Sequence, residues 1–218
     1  MPLKSLHRPI GFIRTHENIG MKILGAIIAG GQSSRMGGLE KAFVMLDGVC
    51  LIERLLSRLR FQVDDVVING NGDASRFAGF KCDVVMDQLI HVTTPLAGIH
   101  AVLAHGAALG FDAVVTAPSD SPFIPLDLVE KLIAAGEVTG AAHARSGGQD
   151  HYLTGIWTTA MADPMARLIV DHDLRRVQDF ALRVKAAKAV WPALPHDPFF
   201  NINTPEDLAV AEIMVSGG

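Results

Sequence analysis

The run KILGAIIA (residues 22–29), cut off by Gly30 and Gly31, restricts the fold of this chain more than any other feature. A short, almost wholly apolar segment reads as a strand buried on both faces, and such strands belong to parallel sheets covered by helices. The following segments repeat that demand. LIERLLSRLR (51–60) puts Leu51, Leu55, Leu56 and Leu59 on one helical face with charges opposite. DVVING (65–70) and CDVVMD (82–87) are strand patterns, and PLAGIHAVLAHGAAL (95–109) is a helix opened by proline. DAVVTAPSDSPFI (112–124) is a strand running into a loop, and PLDLVEKLIAAG (125–136) is a helix ended by Gly136.

Strands alternating with helices predict an α/β fold, a Rossmann-like three-layer sandwich with a mostly parallel central sheet. After residue 140 the order is less regular. YLTGIW (152–157) and KAVW (188–191) read as strands, and DLRRVQDFALRV (173–184) has helical spacing. In the closing NTPEDLAVAEIMV, Thr204 caps a helix, Pro205 begins it and Asp207 completes a capping box. Residues 1–20 carry two prolines, two glycines and no periodicity, so they read as a loose extension. Residues 21–218 read as a single domain, with no internal repeat or linker.

Composition narrows the function. Hydrophobic content of 49% with 19% charged residues fits a globular protein, and a net charge of -4 gives no support to nucleic-acid or membrane-surface binding. Cys50 and Cys82 sit in no metal-ligand spacing and read as buried, reduced thiols of a cytoplasmic protein. No HExxH pair occurs among the nine histidines, which argues against a zinc site.

In an open parallel sheet, ligands bind beyond the carboxyl ends of the strands. Here those ends run into the glycine-rich loop, Asn69, Asp87 and Ser119-Asp120. Gly30 and Gly31 let backbone N–H groups approach an anion, and Arg35 and Lys41 can neutralise a polyphosphate. The loop is neither a Walker A sequence nor a GxGxxG fingerprint. Asp120, in APSDSPFIP, is a natural ligand for magnesium bridging phosphate oxygens, or else a residue that turns the chain by capping its own backbone. Asn69 and Asp87 could equally be strand-end turn residues, and Arg175-Arg176 a solvated helix face.

The segments AIIAGGQSSRMGGLEK, PLAG, APSDSPFIP and NINTPEDL occur in the order and spacing of the molybdenum cofactor guanylyltransferases, and residues 21–215 resemble that family. The glycine-rich signature is shared by wider nucleotidyltransferases; the closing segment is more specific. Related cytidylyl enzymes resemble LAAG where this chain has IAGG, so Gly31 argues for GTP. The resemblance implies that Ile28, Ala29, Gly30 and Gly31 contact GTP, with Lys41 on its phosphates, Asn69 and Asp87 on the guanosine half and Asp120 carrying Mg2+. It implies Arg175, Arg176 and Asn203 on the cofactor side, a nucleotide half over 21–125 and a cofactor half over 126–218. Three positions depart from the family pattern: Glu40 replaces an aspartate, Thr94 a glycine and Tyr152 a frequent proline.

The implied reaction is GMP transfer from GTP to molybdenum-molybdopterin, with Lys41, Arg35 and Asp120 as the catalytic residues. Transient contacts with molybdenum-insertion proteins and acceptor molybdoenzymes are the implied partners. The alternatives are a cytidylyltransferase or sugar-phosphate nucleotidyltransferase of the same superfamily, or a nucleotide-binding regulator without chemistry. Retention of Lys41 and Asp120 argues against the regulator.

Overall fold

The computed structural model of the protein describes residues 20–29, 41–89 and 91–216. The extension up to residue 19, and Gly30, Gly31 and Arg35 of the glycine-rich loop, lie outside the described residues. The strands are β1 (Ile23–Ile28), β2 (Met45–Leu46), β3 (Val49–Cys50), β4 (Asp65–Asn69), β5 (Asp83–Val85), β6 (Ala113–Pro118), β7 (Ala141–Ser146), β8 (Gln149–Thr158) and β9 (Ala187–Trp191). Seven of them form one sheet in the order β5-β4-β1-β6-β8-β7-β9, and β2 pairs with β3 in a small hairpin. The pairings of β1 with β4 and β6, of β4 with β5 and of β7 with β9 are parallel, so the sheet is mostly parallel as expected.

Strand β8 is the exception, antiparallel to both β6 and β7. Its direction follows from the turn before it. Gly147 and Gly148 have φ of 53° and 85°. Two consecutive positive φ values make the tight hairpin turn whose twist matches the flanking strands. The chain therefore reverses at once instead of crossing over, and β8 slots in between β6 and β7.

The helices are α1 (Leu51–Leu59), α2 (Pro95–Ala108), α3 (Leu128–Gly136), α4 (Ala162–Asp171), α5 (Val177–Arg183) and α6 (Pro205–Ser216). Alternate residues of each strand feed opposite cores. Ile23, Ile27, Val115 and Ala117 pack with Leu55, Leu59, Leu128 and Leu132, which places α1 and α3 on one face. Leu24, Ala26, Ile28 and Val114 pack with Leu96, Ile99, Met165 and Phe180, which places α2, α4 and α5 on the other. Gly25 is required for the first contact, because a Cβ there would lie 3.0 Å from both the Leu59 and Val63 side chains. A third cluster of Val44, Leu46, Leu51, Ile202 and Ala211 fastens α6 to the small hairpin.

Three expectations need correction. Helix α3 begins at Leu128 rather than residue 125, and it ends at Gly136 as expected. Gly136 serves close packing: a Cβ there would lie 3.3 Å from the Ala141 backbone, and the positive φ falls on Gly140. Helix α5 begins at Val177, not 173, because Asp173 takes a left-handed φ of 52° that cannot start a right-handed helix. Arg175 and Arg176 therefore stand before the helix, on no helix face. Cys50 and Cys82 are half-buried rather than buried, and Cys82 Sγ lies 3.1 Å from Arg60 Nη2.

Candidate active site

The parallel pairings carry the ends of β1, β4, β5 and β6 to one edge of the sheet. Ile28 is level with Asn69 and with Pro118, and Asn69 is level with Val85. Just beyond that edge the backbone is stitched together: Ala29 N–H donates to Asn69 O (2.9 Å), and Ser119 N–H to Ile28 O (3.1 Å). Polar side chains that are far apart in sequence are thereby fixed side by side.

Asn69 is buried and is the hub on the β4–β5 side. Its Nδ2 donates to Val85 O (3.0 Å) and to Asp87 Oδ1 (2.9 Å). Asn71 completes the hold, donating from Nδ2 to Asp87 Oδ2 (2.8 Å) and accepting from the Asp87 backbone N–H (2.9 Å). Each Asp87 oxygen accepts one side-chain bond and retains acceptor capacity for a ligand. Space for Asn69 is left by Gly98 in the first turns of α2, since a Cβ there would sit 2.2 Å from Asn69 Oδ1. Asn71 and Gly98 both escape a reading of the sequence. The NGNG segment signals only a turn, and a glycine inside a helical pattern signals only reduced propensity.

On the β6 side, Lys41 opens a single 3-10 turn after the glycine-rich segment. Its Nζ donates to Asn203 Oδ1 and lies 3.5 Å from Asp120 Oδ2. Both side chains are largely buried, with 14% and 19% of their surfaces exposed. Burial pushes the Asp120 carboxyl above the ordinary aspartate range, and the nearby Lys41 charge opposes that rise only in part. The other oxygen, Oδ1, is buried with no hydrogen-bond partner among the described residues. A desolvated carboxylate oxygen with an unused lone pair is a ligand-ready group. Magnesium characteristically takes one or two carboxylates and fills its other positions with water and phosphate oxygens, so Asp120 fits that donor set. No three His, Cys, Asp or Glu side chains converge among the described residues.

The NINT segment closes this side of the site. Ile202 N–H donates to Asp120 O (2.9 Å), and Ser121 Oγ donates to Asn201 Oδ1. Asp207 Oδ2 accepts from the backbone N–H of Asn203 and of Thr204, both at 2.9 Å, and Asp207 N–H donates to Thr204 Oγ1 (3.1 Å). The capping box foreseen from Thr204 and Asp207 is therefore present, with one bond more than a capping box needs.

Arg175 and Arg176 are engaged elsewhere. Arg175 Nη1 donates to Ile169 O (3.1 Å) and its Nη2 pairs with Asp173, while Arg176 lies 4.0 Å from Asp179 and is mostly exposed. A different charged group marks the β7–β8–β9 portion. Asp150 receives Arg145 at 2.6 Å and Lys188 at 3.2 Å, with His143 Nε2 3.4 Å away. Burial alone would raise the Asp150 carboxyl, but the bonds and charges of Arg145 and Lys188 hold it well below the usual range. Burial pushes His143 down. Beside them Ser146 Oγ, fully buried, bonds both His151 Nε2 and Asp197 Oδ1 at 2.7 Å. Serine sits between the other two and away from solvent, so this trio is structural rather than nucleophilic.

A parallel sheet that gathers a lysine, a buried aspartate and an amide-held carboxylate behind a glycine-rich segment is the framework of a nucleotidyltransferase. The family model of the MobA-like NTP transferase domain matches residues 25–187. A molybdenum cofactor guanylyltransferase of Cereibacter sphaeroides is 43% identical over 195 residues, covering 89% of this chain and 98% of that protein. Another, from a Bradyrhizobium strain, is 40% identical and covers 86% of this chain and 91% of that one. Among solved structures, molybdopterin-guanine dinucleotide biosynthesis protein A of Archaeoglobus fulgidus superposes with a TM-score of 0.69 at 29% identity, covering 89% of this chain and all of that one. The chain belongs to the molybdenum cofactor guanylyltransferase family.

Proposed function

We propose that this protein transfers GMP from GTP to molybdenum-molybdopterin, forming molybdopterin guanine dinucleotide and releasing pyrophosphate. The terminal phosphate of the acceptor is already an anion. One of its oxygens attacks the α-phosphorus of GTP; that P–O bond forms while the bond to the pyrophosphate oxygen breaks, and no protein nucleophile or proton transfer is needed. Placement and charge neutralisation then supply most of the acceleration.

The observation that carries this reading is the Lys41–Asp120 pair at the end of β6, with a cation held against a buried carboxylate whose second oxygen has no hydrogen bond among the described residues. The Lys41 ammonium is positioned to take phosphate oxygens in place of its present acceptors. Asp87, held by Asn69 and Asn71, accepts donors of the guanosine half. Ile28, Ala29, Gly30 and Gly31 are assigned to nucleotide contact, and Arg35 to charge neutralisation on the phosphates. Asp120 would hold Mg2+ through Oδ1. The ion would neutralise charge on the phosphate oxygens as the bond to pyrophosphate lengthens. Arg175, Arg176 and Asn203 are assigned to the acceptor side.

The test is turnover with magnesium, molybdenum-loaded molybdopterin and each nucleoside triphosphate in turn. GTP labelled in its α-phosphate should pass its label to the cofactor with release of one pyrophosphate. Labelling from CTP at an equal or greater rate would overturn the guanylyl assignment, and turnover undiminished by chelator would overturn the magnesium assignment.

A further inference from the structure

Asp207 does more than its position in a capping box requires. In such a box the third helical residue returns to the N–H of the cap residue alone. Here one oxygen, Oδ2, takes the N–H of Thr204 and also that of Asn203, each at 2.9 Å. Asn203 in turn places its Oδ1 against Lys41 Nζ, and Lys41 lies 3.5 Å from Asp120. The same segment is tied to the Asp120 loop by Ile202 N–H on Asp120 O and by Ser121 on Asn201. The start of α6 is thus bonded to both charged groups of the site, although it lies more than 160 residues along the chain from Lys41.

We infer that Asp207 is a positioning residue, fixing the Asn203 backbone so that the Asn203 carbonyl oxygen holds Lys41 beside Asp120. The chemistry favours this over capping alone. An asparagine side chain has free χ angles, and its oxygen is held in one place only if its backbone is held first. The bond from Asp207 is charge-assisted, and such bonds are stronger than those between neutral groups. Lysine, a flexible point charge with three donors, takes the position its acceptors impose. Asn203, assigned to the acceptor side, thus also meets Lys41, and its partners set the starting point of the lysine before any nucleotide arrives.

This inference rests on the proposed role of Lys41, but its test reads without nucleotide. The acylation rate of Lys41 by an amine-reactive ester is followed by peptide mass spectrometry, with Lys131, on α3, as an internal reference. Asn203→Ala frees the amine and should raise labelling of Lys41 several-fold, leaving Lys131 unchanged. Asp207→Ala should raise it by a comparable factor, and the double variant no further than Asn203→Ala. Non-additivity of this kind is the mark of two residues acting through one path. Asp207→Asn keeps a neutral acceptor oxygen and should restore part of the protection. Losing a cap costs about 1 kcal/mol, so the alanine variant remains folded, and melting temperature is recorded for each variant. In the guanylyl-transfer assay the losses in kcat should follow the same non-additive pattern. Unchanged labelling of Lys41 in Asp207→Ala, or full addition of the two effects, would reduce Asp207 to a capping residue. Wild-type protein that fails to transfer GMP while keeping the labelling pattern would overturn the proposed function and leave the positioning role standing.

Discussion

The two halves of the sheet's carboxyl edge differ in how their carboxylates are engaged. At the β1–β4–β5–β6 portion, Asp120 keeps an oxygen without a hydrogen bond among the described residues, and Asp87 is braced by two asparagines with acceptor capacity to spare. At the β7–β8–β9 portion, Arg145 and Lys188 already close on Asp150. The carboxylates of one region still have acceptor capacity, whereas the carboxylate of the other is already closed on by two cations, even though both ring nitrogens of His143 beside it lack a hydrogen bond among the described residues. A buried carboxylate oxygen without a hydrogen bond costs free energy that a bound ion, ligand or water can return, so the carboxylates of the first region are where a bound cation has most to gain.

The sharpest way to break this contrast is Asp120→Asn. It removes the charge while keeping the size, and turnover should fall by roughly 10²–10³-fold, as when one electrostatic group is removed from a transition state. The fold should not suffer: the native environment raises the Asp120 carboxyl above its unfolded value, so at neutral pH its ionised form is a net cost to the fold. The melting temperature without ligand should therefore hold or rise. A variant that melts several degrees lower would mean that the carboxylate is there for stability.

Gly98→Ala tests the bracing of Asp87. The new methyl would displace Asn69, whose oxygen would lie 2.2 Å from it. Overpacking of this kind costs about 1–3 kcal/mol. GTP affinity should drop about tenfold, which corresponds to roughly 1.4 kcal/mol. Isothermal titration reads it, and unchanged affinity would detach the Asn69–Asp87 pair from nucleotide binding.

Asp150→Asn tests whether the other region is structural. The folded-state carboxyl is held low by Arg145 and Lys188, so it contributes stability above its unfolded value and loses it as pH falls. At pH near 7 the variant should melt roughly 2–4 °C lower, for a loss of about 1 kcal/mol. The gap to wild type should narrow below about pH 4, where the unfolded carboxyl takes up its proton. A gap independent of pH would remove the charge from the explanation. Smallest of all, alanine at both Arg175 and Arg176 should raise the acceptor KM several-fold at unchanged GTP affinity; loss of GTP binding would place the pair on the wrong substrate.

The legibility of these regions in the sequence divides along the same line. KILGAIIA, DVVING and the proline-opened helix of PLAG declare themselves because apolar periodicity and strand-end punctuation act locally, and with them Asn69, Asp87, Lys41 and Asp120 are placed at one edge. Strand β7, AAHARS, hides because alanines pack between β8 and β9 without the β-branched residues that mark a strand. Helix α4 hides between two segments of uncertain period. The direction of β8 depends on two glycines having positive φ, a backbone fact that composition permits but does not dictate. The same holds for the backbone around Arg175 and Arg176: the helical spacing of 173–184 places them in a helix, but Asp173 is left-handed and Arg176 extended, so they stand before α5. What the sequence cannot disclose is distance: that Asn203 meets Lys41, and that Gly98 makes room for Asn69, follow only from the packed sheet.

Titration of the wild-type protein with GTP and with CTP, in magnesium and without any acceptor, tests the central claim most directly. If the β1–β4–β5–β6 edge is the assembled, partner-seeking region, GTP binds at one site and raises the melting temperature, CTP binds far more weakly, and neither requires molybdopterin. GTP binding only after molybdopterin is added, or CTP binding as tightly as GTP, would contradict the account.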